Sequence, residues 1–132
     1  MIKSDIDIKD DVYNHIKGSL LEKEVSGKLR KTKRPAGSNQ EDIVISILDN
    51  GTGQMQEAFV NVNIYVSDNI RDNQNVEDVI RLRKLCKMSY ELLEVGRGEG
   101  YRFTLDKQRV LEVNGKNEHL INNKLLYQCN NE

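Results

Sequence analysis

Apolar side chains recur along this chain with two periods, and the switches between them mark out the elements. Val12, Ile16 and Leu20 fall at i, i+4 and i+8, and Tyr13, Leu21 and Val25 widen the stripe. That period predicts one amphipathic helix over residues 11–25. Asp10 and Asp11 are candidate caps for its start, and Gly27 for its end. Gly18 weakens its middle by ~1 kcal/mol relative to alanine. Residues 28–34 then run extended into Pro35, the single proline, which pushes Arg34 out of helical geometry. Residues 36–40 read as a loop.

The period then drops to two. Ile43, Ile45 and Ile47 share one face of a strand, and residues 49–53 form a turn rich in Asn and Gly. In the next strand Ala58, Val60, Val62, Ile64 and Val66 point one way, while Phe59, Asn61, Asn63 and Tyr65 point the other. The two strands make a hairpin with one face on a core. A second helix is predicted from Asn75, its cap, with Glu77 and Asp78 in the first turn. Val79, Leu82, Cys86 and Leu93 form its stripe, Ile80, Leu85 and Leu92 widen it, and it stops near Gly96. Matching periodicities place Val60, Val62 and Ile64 under Val79, Leu82 and Cys86. The last third returns to strands, through Tyr101, Phe103 and Leu105, then Leu111 and Val113. An Asn114-Gly115 turn follows, then Ile121, Leu125, Tyr127 and Cys129 on one face. Only the last three residues are expected to fray.

The expected fold is therefore α+β, a single domain spanning 1–132 with its ordered core at about 11–129. It is a mainly antiparallel sheet of four to five strands with a central hairpin. Two helices pack on it, in the order α-β-β-β-α-β-β.

Composition narrows the function. Twenty Lys and Arg against 21 Asp and Glu give a formal charge of −1, without the basic excess of a dedicated nucleic-acid or membrane-surface binder. No apolar run reaches the ~18 residues of a membrane span, and the first residues lack a signal-peptide core, so an intracellular soluble domain is expected. Trp is absent and aromatics are 5%, so stacking platforms are scarce. Cys86 and Cys129 form no metal-ligand spacing with each other, nor with His15 or His119. Gly96-Arg97-Gly98-Glu99-Gly100 follows a helix and opens a strand, the reverse of a phosphate loop, and is expected to be a helix C-cap and connector. The acid pairs Asp10/Asp11, Glu41/Asp42 and Glu77/Asp78 sit at element starts, where capping explains them. The serines lack a nucleophile-elbow context. No catalytic residue, metal, cofactor or small-molecule substrate is expected.

Two surface features remain. Lys28, Arg30, Lys31, Lys33 and Arg34 put five charges in seven residues. They form either a solvated edge that discourages aggregation or an interface with an acidic partner or phosphates. Phe59, Asn61, Asn63 and Tyr65 either contact a partner, an identical subunit included, or are covered by the first helix or the last strands.

The element order and a few local phrases resemble the tail terminator (tail completion) proteins of long-tailed bacteriophages and prophages, over about residues 11–129. The phrases are the helix opening at Asp11 and Gly27-Lys28-Leu29 entering an extended segment that leads to Arg34-Pro35. Glu41-Asp42-Ile43-Val44-Ile45 opens the hairpin, and Val60-Asn61-Val62-Asn63-Ile64-Tyr65-Val66 is similar to the family's central strand. Glu118-His119-Leu120-Ile121-Asn122 leads into the closing strand. The resemblance implies a non-enzymatic assembly factor that forms a ring, of six copies in the family's usual arrangement. It would cap the tail tube and present the surface to which the head attaches. Its partners would be itself, the tail tube and head-neck proteins, with no membrane and no sequence-specific nucleic acid. It would reside in the bacterial cytoplasm during assembly and then in the virion. The alternative is a small nucleic-acid-binding or other interaction module using residues 28–34.

Overall fold

The computed structural model describes residues 2–130. Its elements are α1 (Asp5–Ile16), α2 (Leu20–Glu24), β1 (Leu29–Arg30), β2 (Ile43–Gly51), β3 (Met55–Ser67), β4 (Asn69–Arg71), β5 (Gln74–Val76), α3 (Val79–Leu93), β6 (Val95–Gly98), β7 (Tyr101–Glu112) and β8 (Glu118–Asn130). Six strands form one sheet in the order β1-β2-β3-β8-β7-β6, and β4 and β5 form a separate two-stranded ribbon. All pairings are antiparallel except β1 with β2. The α+β class stands. The strand count and element order do not: six strands share the sheet instead of four to five, and the described residues contain three helices instead of two.

The first helix departs from its expected bounds at both ends. Ser4 caps it, accepting the Asp7 N–H while the Asp7 carboxylate accepts the Ser4 N–H, a reciprocal capping box. Asp10 and Asp11 therefore lie inside α1 and cap nothing. Gly18 has φ +80, which breaks the helix instead of merely weakening it, and Ser19 caps the short α2. The buried stripe is Ile8, Val12 and Ile16; Leu20, expected on it, is exposed.

The second helix starts later than expected. Asn75 belongs to β5, and Asp78 caps α3 through the Arg81 N–H. The intervening ribbon turns at Asp72 and Asn73, both with positive φ (51 and 62), as a two-residue hairpin turn requires. Gly96 does not end the helix but lies in β6, with the Phe103 ring so close that a Cβ would collide with it. The 96–100 run is thus the tip of the β6–β7 hairpin rather than a helix cap. At the C-terminus Asn130 closes β8, while residues 131 and 132 of the expected frayed end lie outside the described residues.

Both long helices pack on one face of the sheet. α1 lies over β2, and α3 over β8 and β7. His15 Nε2 meets the Leu92 carbonyl at 2.9 Å, joining α1 to the end of α3. Val60, Val62 and Ile64 are fully buried, as alternation predicts. The helix expected over them is placed differently: α3 crosses the partner hairpin, Val79 is exposed, and the α3 stripe is Leu82, Leu85, Ser89 and Leu93. The reason is β8. It pairs with β3 along its whole length, from Met55 opposite Asn130 to Ser67 opposite Glu118, and so widens the floor on which α3 rests. Within that core sits a buried polar cluster. The two N–H groups of Gln108 Nε2 are shared among Cys86 O, Ser89 Oγ and Asn123 Oδ1, and Asn123 Nδ2 donates to Val62 O.

Candidate functional site

The basic segment is drawn into the protein at one end of the sheet. Arg34 is the anchor. Its guanidinium donates to both Glu118 oxygens (2.6 and 3.1 Å), to Asp42 Oδ2 (3.0 Å) and to the Gln40 carbonyl (2.7 Å). It also stacks 4.1 Å above the Tyr65 ring. The three charged side chains are only 9% (Arg34), 1% (Asp42) and 4% (Glu118) exposed. Burial pushes the Asp42 carboxyl up. Hydrogen bonds from Ser38, the Lys28 N–H and Arg34, with Arg30 nearby, outweigh it and hold the group below the usual carboxylate range. Burial likewise works against the Arg34 charge, and Glu118 and Asp42 more than compensate.

The five cations of the run therefore separate. Arg34 is sequestered and Arg30 leans on Asp42 at 3.5 Å. Lys31 pairs with Asp10 at 2.9 Å, while Lys28 and Lys33 project to solvent. The reading of this run as a solvated edge fails at Arg34, because two buried carboxylates from distant segments converge on it. The segment is scarcely a strand either: only Leu29 and Arg30 pair, in parallel, with Ile43 and Val44.

Phe59, Asn61, Asn63 and Tyr65 line the sheet face that carries no helix. Asn122 Nδ2 donates to Asn61 (3.1 Å) and Asn63 (2.7 Å), and Lys124 Nζ lies 4.3 Å over Phe59. The last strand lies beside this face in the same sheet rather than over it, and α1 is on the opposite side. The 31–40 segment reaches across at the Tyr65 end. There a groove of about 810 Å³ opens between Lys33, Arg34, Val44, Tyr65, Lys116 and Lys9 of α1.

A second exposed stretch, unseen in the sequence, runs through the β4–β5 ribbon and on into the start of α3. Ile70 and Ile80 are 75% and 76% exposed, and Val79 is half exposed beside them in sequence. Asp72 and Glu77 supply negative charge in the same stretch. The start of β8 ties both surfaces to one end of the sheet. Neighbouring strand residues point to opposite faces. Glu118 holds the Arg34 strap on the open face, and His119 Nδ1 meets Asp68 at 2.7 Å, with Glu77 4.0 Å from its Nε2, on the helix side. The long polar stretch 67–78 concealed this ribbon, whose apolar residues are Ile70 and Val76.

Among the described residues no group of three or more His, Cys, Asp or Glu is arranged to hold a metal ion, and no helix is long and apolar enough to cross a membrane. Cys86 and Cys129 are free thiols, both pushed up by burial. A scan against models of known protein families finds no match, and a search of curated proteins finds no relative.

Proposed function

We propose that this chain is a non-enzymatic structural subunit of a phage or prophage tail, a tail-terminator-type protein. In this reading it closes into a ring, caps the tail tube and offers the head its attachment surface. It assembles in the bacterial cytoplasm and ends in the virion. The sequence resemblance suggests the family, and one structural observation supports the ring. The start of β8 meets two unlike stretches, one through each face of the strand, at His119 and at Glu118. One is apolar and acidic (Ile70, Val79, Ile80, Asp72, Glu77); the other is a groove with apolar walls and a basic rim (Val44, Tyr65, Lys9, Lys33, Lys116). Rings need heterologous contacts, in which one patch of a subunit meets a different patch of the next. Opposite faces allow each copy to give its ribbon and receive another without competing with itself.

Light scattering across a concentration series tests this reading. Wild type should shift toward a closed oligomer as concentration rises. Ile70→Asp with Ile80→Asp should remain monomeric at every concentration with an unchanged melting temperature, since both side chains are exposed. Equal association by wild type and the double variant would remove the ribbon from the contact.

A further inference from the structure

Cross-strand register gathers a row of cations on the helix-free face that no stretch of sequence displays. Arg97 stands directly opposite Arg102 on β6 and β7, and Lys107 directly opposite Lys124 on β7 and β8. Arg109 follows Lys107 two residues on, so it shares that face. The flanking residues fix the assignment: Phe103 is buried and Gln108 bonds to the Cys86 carbonyl of α3, so their neighbours point away from the helices. Like charges placed directly opposite in a sheet repel and destabilise it. Here two such pairs occur on one face.

Nothing in the fold neutralises most of them. Arg97, Arg102, Lys107 and Arg109 are exposed and make no ion pair or side-chain hydrogen bond among the described residues. Asp106, bulged out of β7, stands 3.8 Å from Lys124. This contrasts with residues 28–34, whose charges are largely engaged with Asp10, Asp42 and Glu118. The near-zero net charge hides a segregated surface.

We infer that the β6–β7–β8 face binds the phosphate backbone of a nucleic acid, without reading its bases. Three of the five cations are arginines, whose planar fork matches phosphate oxygens two at a time. A row of like charges along adjacent strands fits a polymer that carries one negative charge per residue. Thr104 lies on the same face, and such neutral polar groups commonly add hydrogen bonds to phosphate and sugar oxygens. This surface is distinct from the ribbon and groove, and the inference holds whether or not the chain forms rings.

The test is fluorescence anisotropy with labelled random-sequence 30-nucleotide single-stranded DNA, duplex DNA and RNA, from 50 to 300 mM KCl. Wild type should bind at least one of these probes, and the tightest identifies the source of the backbone. A plot of log affinity against log salt should slope downward by about 2–4, as for a few released counterions. Arg102→Gln, Lys107→Gln and Arg109→Gln together should weaken binding at least tenfold at 50 mM KCl and flatten that slope. Lys28→Gln with Lys33→Gln should change affinity less than twofold. The triple variant should also melt at the same temperature as wild type or higher, because it relieves like-charge repulsion. Three results would each overturn the inference: no binding at 50 mM KCl, full binding by the triple variant, or equally tight binding of polyglutamate, which would mark an acidic protein partner instead.

Discussion

Arg34→Met removes a charge while keeping most of the side chain's length, and it isolates the bond that fastens the 31–40 segment. In the wild type one guanidinium serves Asp42 and Glu118 together, with all three side chains at most 9% exposed. The variant leaves two buried carboxylates without that partner. Losing one member of a buried ion pair costs about 3–5 kcal/mol, because the survivor keeps its desolvation penalty. At this chain length that lowers the melting temperature by about 10–18 °C. The pH dependence supplies a second check. The folded Asp42 pKa lies below its ordinary value, so its contribution is present above pH ~4 and disappears as pH falls through the folded pKa. In the variant, burial acts on Asp42 with less opposition and its pKa rises. The deficit against wild type should therefore shrink between pH 7 and pH 4.5. Urea denaturation at both values measures it. A loss under about 1 kcal/mol at pH 7, or a deficit that does not change with pH, would refute the clamp and place Arg34 among ordinary surface ion pairs.

Further substitutions test other parts of the fold. Val62→Asp puts an unpaired charge at a fully buried position and should abolish cooperative unfolding; a soluble variant with unchanged melting temperature would invert the face assignment. Gly96→Ala drives a methyl into Phe103 and should cost about 1–3 kcal/mol in thermal denaturation. Burial and then Asp11 push the Tyr127 hydroxyl far above the usual tyrosine range. Its neutral form is thus favoured by folding, and that stabilisation is lost as pH rises past the unfolded value of ~10. Ultraviolet titration should show Tyr127 ionising only as the protein unfolds, and Tyr127→Phe should resist alkaline unfolding better than wild type. Lys31→Ala removes an exposed pair with Asp10 and should leave the melting temperature where it is.

The parts of the fold legible in the sequence were those carried by strict local periodicity. The alternation of Ala58, Val60, Val62, Ile64 and Val66, and the shared parity of Ile121, Leu125, Tyr127 and Cys129, identify the inner face of the two central strands without reference to anything distant. The features that escaped depend on nonlocal partners or on short polar stretches. Asp72 and Asn73 make a turn whose flanking strands are three residues each, too short for a period to emerge. Val79 and Ile80 continue the apolar pattern of α3 yet lie outside the core, since helical spacing records a stripe and not what it meets. Arg34 belonged to a conspicuous basic run, and only the return of residues 42 and 118 to one spot separates it from its neighbours. The cation row exists because register sets Arg97 against Arg102 and Lys107 against Lys124. The same blindness affects Gln108, a polar residue on a strand that turns inward to complete a buried amide cluster.

The most direct test of the proposed role is electron microscopy of purified wild-type protein mixed with uncapped tail tubes of a long-tailed phage encoding this chain. One ring is expected at a single end of each tube, built from identical copies joined through the ribbon and the groove, and it should be lost with Ile70→Asp and Ile80→Asp. Tubes that remain open at every protein and salt concentration would contradict the tail-terminator reading.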